Sequence, residues 1–168
     1  MDRVKWEDYF MTMAYLCAMR SKDTSTHIGA VIVGPDNEVR STGYNSLPRK
    51  VGDDVSMYPE RFERPEKYFW MEHAERNAIY NAARVGIPTK GCILYCNGVP
   101  CADCARAIIQ AGISEVIVDS AWDCDKSEKW KEHHERALQM LSEGGVKVRY
   151  WEGKLLDIVK MRDGEVNK

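Results

Sequence analysis

Apolar residues recur at helical spacing near the start of the chain. Trp6, Tyr9, Phe10, Met13, Leu16 and Cys17 mark one face of an amphipathic helix over residues 6–20, with Cys17 on its core side. The β-branched run HIGAVIVG and the segment EVRSTGYN flank residues 34–37, Gly-Pro-Asp-Asn, and together predict a hairpin. Helical spacing returns over residues 72–85 and stops at Gly86-Ile87-Pro88. CILYCN reads as a strand, residues 102–111 as a helix ending at Gly112, and SEVIVD as a strand. A helix over 127–142 stops at Gly144-Gly145, and VKVRYW forms the last strand. The order α-β-β-α-β-α-β-α-β predicts an α/β protein, a three-layer α/β/α sandwich around a mixed five-stranded sheet.

Two stretches fall outside this periodicity. Residues 46–70 hold Pro48, Pro59 and Pro65 among many charges, and a connection that long inside a compact domain is usually functional. The tail from Gly153 is charged and reads as a short helix or a frayed end. The 168 residues fit one domain, with a core over about 5–151 and a tail over 152–168.

Composition narrows the chemistry. The net charge of −2 gives no general attraction to a polyanion, so a polynucleotide partner is disfavoured, although a local basic patch can hold one phosphate. The charged start MDRVKWEDYF does not suit a signal peptide, and no run approaches the roughly 18 apolar residues of a membrane span. A cytoplasmic protein is therefore expected, with its six cysteines as thiols or metal ligands rather than disulfides.

Two short motifs stand out, each at the start of a helix: His73-Ala74-Glu75 and Pro100-Cys101-Ala102-Asp103-Cys104. Either alone says little, since a bare Cys-x-x-C also serves redox and structural roles. Together, His73, Cys101 and Cys104 offer one imidazole and two thiolates, and helix N-termini favour the thiolate form. That donor set prefers zinc, and three protein ligands leave the fourth tetrahedral position for water, as in catalytic sites. Zinc acidifies water toward neutrality, and Glu75 is placed to carry its proton to a substrate. This chemistry suits hydrolytic removal of an amino group from a heteroaromatic ring, and H-x-E…P-C-x-x-C is the signature of the zinc deaminases.

The chain resembles the deoxycytidylate (dCMP) deaminases of the cytidine-deaminase-like superfamily. The resemblance rests on MRSKDTSTHIGAVIV (residues 19–33), GYNSLP (43–48), HAERNAI (73–79), PCADCARAIIQAGISEVI (100–117) and the closing GGVKVRY, and covers roughly residues 14–150. It implies a cytidine deaminase-like fold and conversion of dCMP to dUMP and ammonia, supplying dUMP for thymidylate synthesis. It implies one catalytic Zn2+ per subunit on His73, Cys101 and Cys104, with Glu75 as proton shuttle. Asn45 is expected at the sugar or phosphate, the backbone of Ala74 at the base, and Arg20, Ser21 and Lys22 near the 5′-phosphate. Trp122, in DSAWDCD, stands where the family usually offers a tyrosine near the substrate, and either stacks on the base or anchors its loop. The family further implies dCTP and dTTP as effectors, with Mg2+ accompanying an allosteric nucleotide, and a homo-oligomer, a hexamer. Effector control passes through the Gly-Tyr-Asn region, where Ser46 replaces a common glycine. Residues 46–70 contain neither cysteine nor histidine, so a second, structural zinc is not expected.

Other readings stay open. The substrate is alternatively another amino-heterocycle: 5-methyl-dCMP, CMP, a nucleoside or a tRNA base. A zinc-binding or nucleotide-sensing module is a third reading, though it has no use for Glu75. Among lesser candidates, Cys92 and Cys96 read as core, and Cys124 with His133 and His134 as a solvated helix face rather than a metal site. Tyr68, Phe69 and Trp70 are expected to line the pocket or pack a subunit contact.

Overall fold

The computed structural model describes residues 3–122, 128–163 and 165–167. Helix α1 (Trp6–Ala18) precedes a hairpin of β1 (Gly29–Val33) and β2 (Val39–Tyr44). The segment after it contains a 3-10 turn (Pro59–Phe62) and a single helical turn, α2 (Lys67–Trp70). Then follow α3 (Ala74–Val85), β3 (Ile93–Cys96), α4 (Ala102–Gln110), β4 (Glu115–Asp119), α5 (Glu128–Glu143) and β5 (Lys147–Trp151). The five strands form one sheet in the order β2-β1-β3-β4-β5. β1 is antiparallel to β2 and β3, whereas β3, β4 and β5 run parallel, so the sheet is mixed as the element order predicts. The hairpin turn falls at Gly34–Asn37, with Asn37 at φ 64, a conformation asparagine tolerates better than most residues.

Period-two alternation divides the core into two layers. Ile32, Leu94, Cys96, Val116 and Val118 face α3, α4 and α5, together with Ala78, Ile108 and Leu141. Val31, Val33, Tyr95 and Ile117 face the other way, against Phe10, Met11 and Ala14 of α1 and Trp151. A sheet covered on both faces must be apolar on both, which is why its central strands read as unbroken hydrophobic runs. Cys92 and Cys96 are fully buried, as expected of core cysteines, and Cys17 packs against the α1 layer. Among the described residues no helix is long and apolar enough to cross a membrane.

Two expectations about elements need correction. α1 ends at Ala18 rather than at residue 20, because Arg20 and Ser21 close tight turns back onto Cys17 and Ala18. The tail is neither a short helix nor a frayed end. Residues 152–159 run without regular structure, anchored where the Leu156 N–H donates to Thr12 Oγ1, and lead into a small antiparallel hairpin, β6 (Lys160–Arg162) and β7 (Glu165–Asn167). The bond from Leu156 ties the middle of the tail to α1.

Candidate active site

The functional residues gather at one edge of the sheet. The carboxyl ends of β3 and β4 lead to Cys101 and Trp122, and β2 leads to Asn45. The antiparallel β1 begins at that same edge, since Gly29 pairs with Tyr44 and Ala30 with Cys96. A short bridge between Ser46 and Glu72 draws the chain back there just before α3. Ligands collect beyond the carboxyl ends of parallel strands because helix N-termini converge there.

His73 and Cys101 each occupy the N-cap position, of α3 and α4 respectively, with extended backbone. His73 Nδ1 lies 3.4 Å from Cys101 Sγ and 3.5 Å from Cys104 Sγ, and the three donor atoms lie within 4.8 Å of one another. Zinc bonds of about 2.0–2.1 Å to nitrogen and about 2.3 Å to sulfur, at the tetrahedral angle, place nitrogen and sulfur about 3.6 Å apart. The two nitrogen–sulfur edges therefore already match those of a zinc tetrahedron, and the donor set fits that ion. The Cys101 thiol is lowered to about 3, first by the hydrogen bond from Cys104 and then by His73 beside it. Cys104 moves up, as the donor of that bond and through burial, so the two sulfurs share one proton. A zinc ion held by His73, Cys101 and Cys104 would take that proton's place.

Glu75 lies one residue inside α3 and is buried, 3% exposed. Burial pushes its carboxyl upward, and the neighbouring His73 opposes only part of this. That upward direction brings the carboxyl closer to what general acid–base work requires than a solvated glutamate is.

His73, Ala74, Glu75 and Cys101 form part of the wall of a cavity of about 350 Å3, within the range of small-molecule sites. Asn45 and Trp122 line it as well. Asn45 is largely committed to structure: Oδ1 accepts from the Ile28 N–H at 2.8 Å, and Nδ2 donates to Thr26 O and to Asp23 Oδ2. One lone pair on Oδ1 is left for a ligand. Asn97 fixes the same loop from the other side, accepting from Gly29 N and donating to His27 O.

Arg20, Ser21 and Lys22 are not in this cavity. Arg20 and Lys22 line a second one, of about 390 Å3, and Lys22 pairs with Asp53 at 3.0 Å. Ser21 is buried, and its hydroxyl donates to Asn45 O. Arg64 and Lys67, from the segment the sequence left without structure, are the Arg and Lys residues that line the catalytic cavity among the described residues.

Sequence reasoning also missed Asp23, Trp130 and His134 in the lining. His134 was expected on a solvated helix face. Instead the first turns of α5 lie against the site, with the Trp130 ring 6.4 Å from His73 and 6.1 Å from His134. The Cys124 part of that expectation lies outside the described residues. Tyr68 lines the cavity, Trp70 packs against the cluster of Leu47, Phe62 and Met71, and Phe69 is 83% exposed.

A sequence model of the cytidine and deoxycytidylate deaminase zinc-binding region matches residues 4–120. The chain belongs to the cytidine and deoxycytidylate deaminase family. This deaminase is 42% identical over 130 residues to deoxycytidylate deaminase from Homo sapiens, an overlap of 75% of this chain and 72% of that one. It is 38% identical over 156 residues to an uncharacterised deaminase from Aliivibrio fischeri, covering 93% of this chain and 98% of the relative. Among solved structures, the dCMP deaminase of cyanophage S-TIM5 in complex with dCMP and dUMP superposes with a TM-score of 0.69 at 21% identity, over 90% of this chain and 100% of that chain. That likeness establishes the cytidine deaminase-like fold.

Proposed function

We propose that this deaminase hydrolyses dCMP to dUMP and ammonia. The observation that carries the reading is Glu75, buried beside three donors that lie within 4.8 Å of one another, on the wall of a cavity of about 350 Å3. The substrate is supported by the relative named deoxycytidylate deaminase at 42% identity.

Zinc held by His73, Cys101 and Cys104 supplies Lewis acidity, bringing water to the point of ionising near neutral pH. Glu75 would take one proton from a water held beside it and pass it to the ring nitrogen next to the amino-bearing carbon, so that the water oxygen bonds to that carbon. Glu75 would then relay the remaining proton of the added hydroxyl to the amine as the C–N bond breaks, so one water is consumed for each ammonia released. Ala74 opens α3, where the first amides have no partner inside the helix, and its backbone offers a grip on the pyrimidine. Asn45 offers its remaining lone pair to a sugar hydroxyl, and Trp122 closes one wall with an aromatic face.

The reading extends to regulation and assembly. Arg20, Lys22, Arg49 and Lys50 line the second cavity with Tyr44 and Ser46 of the Gly-Tyr-Asn region, which suits a dCTP or dTTP effector with Mg2+ neutralising part of its charge. Asp23 and Met71 line both cavities and give the two sites a shared wall. Exposed Phe69, Trp6 and Tyr9 suit subunit contacts in a homo-oligomer, a hexamer by family resemblance.

A spectrophotometric deamination assay of the zinc-loaded protein tests the reading with dCMP, CMP, deoxycytidine and 5-methyl-dCMP, each with and without dCTP. Efficient turnover of dCMP and poor turnover of deoxycytidine are expected. Equal rates on those two would refute phosphate recognition, and a preference for another member of the set would reassign the substrate.

A further inference from the structure

The catalytic cavity runs from a dry floor to a wet rim. Ala74, Glu75 and Cys101 are buried, whereas Arg64 and Tyr68 are exposed. An aromatic contact joins the two levels: the Tyr68 ring meets Trp130 edge-on at 6.2 Å, and Trp130 lies 6.4 Å from the ring of His73. A ligand that reacts beside Glu75 must lead the rest of its length outward past this pair.

The cations in and around that route are not equivalent, and of the four nearest in the chain only Lys67 and Arg64 line the cavity. Lys67 Nζ lies 2.8 and 2.9 Å from the two carboxylate oxygens of Asp23 and 2.7 Å from Ser25 Oγ. Its three N–H groups are thus committed, and its charge is cancelled by a buried partner. Arg61 lies over the rings of Tyr58 and Trp70, and Arg76 pairs with Glu72. Arg64 differs from all three. Among the described residues its guanidinium has no ion pair, hydrogen bond or aromatic ring, yet it lines the cavity. The backbone N–H of Tyr68 donates to Pro65 O at 3.1 Å, which sets Arg64 one turn ahead of Tyr68 at the rim.

We propose that Arg64 reads the 5′-phosphate of the substrate and so separates nucleotide from nucleoside. This rests on the dCMP reading above. A planar guanidinium donates two parallel hydrogen bonds to a phosphate, and a phosphate at the rim keeps its remaining oxygens in water. The Asp23–Lys67 pair beside it is neutral as a unit and does not repel a dianion.

Two measurements test the proposal on the zinc-loaded full chain: the ratio of kcat/KM for dCMP to that for deoxycytidine, and the binding of dUMP against deoxyuridine by fluorescence of the cavity tryptophans. Arg64→Gln is expected to lower the ratio roughly 10- to 100-fold and to weaken dUMP binding by a similar factor. Arg64→Lys, which keeps the charge but loses the fork, is expected to recover part of both. An unchanged ratio in Arg64→Gln, or equal losses on dCMP and deoxycytidine, overturns the assignment of Arg64. A wild-type protein with no preference for dCMP overturns both this proposal and the phosphate part of the function. The two failures are therefore distinguishable, the second being visible before any substitution is made.

Discussion

Glu75 and Asp23 are both buried carboxyls at the cavity wall, and their surroundings push them in opposite directions. Burial dominates at Glu75 and raises it. At Asp23 burial also raises, but hydrogen bonds from Lys67 and Ser25 outweigh it and the net direction is down. One is therefore suited to moving a proton and the other to holding a fixed charge. Glu75→Gln keeps the three metal donors and is expected to retain zinc by elemental analysis while losing on the order of 100- to 10,000-fold in kcat. A variant that stays active would remove Glu75 from the proton path. Asp23→Asn leaves the Lys67 ammonium buried without its counter-charge, and a loss of about 3–5 kcal/mol is expected from urea unfolding. Asp23 has a folded-state pKa below its unfolded value of about 3.9, so its contribution is present above that pH and is lost as the pH falls through the folded value. The stability gap between wild type and Asp23→Asn should therefore close on acidification into that range. A gap constant down to pH 2 would mean that the pair is not the source.

At the scale of elements, the site depends on how closely α3 approaches β2. A Cβ at Gly43 would meet Ala74 O at 2.3 Å and Ala78 N at 2.4 Å, both backbone atoms that cannot step aside alone. Gly43→Ala must therefore lift the first turn of α3, which holds His73 and Glu75. A destabilisation of about 1–3 kcal/mol is expected, with weaker zinc retention in competition with a chelator. Thermal and chelator profiles matching wild type would show that α3 has slack. The α3 N-terminus is further tied down by the Ser46–Glu72 bridge and by Asn77, whose Nδ2 donates to Tyr44 O at 2.8 Å. These ties explain how a helix start holds its position beside a long irregular segment.

At the scale of the whole molecule, the three donors join the starts of α3 and α4, two helices that share one face of the sheet but are separated in the chain by β3, so a metal bound there would cross-link segments 28 residues apart. Zinc binds the native arrangement and stabilises it by mass action, by about 2.7 kcal/mol at a free concentration 100 times its dissociation constant. Chelation is expected to lower the Tm in differential scanning fluorimetry, and added zinc to restore it. An unchanged Tm in protein shown by elemental analysis to be metal-free would contradict the coupling.

The sequence by itself determined the element order, the mixed sheet and the metal-binding constellation. Each is written in short-range spacing: alternation in the strands, 3.6-residue recurrence in the helices, and His73-x-Glu75 and Cys101-x-x-Cys104 at two helix starts. Only the tertiary structure decided which charged residues share the cavity. Arg20 and Lys22, which the family resemblance placed near the 5′-phosphate, line a different cavity, with Lys22 paired to Asp53. Arg64, Lys67, Trp130 and His134 arrive from a proline-rich segment and from a helix far along the chain, and no local periodicity marks them. Such contacts depend on where the chain returns after a long connection. That is settled by packing, by the buried Asp23–Lys67 pair and by the Tyr68–Trp130 contact, none of which a local pattern encodes.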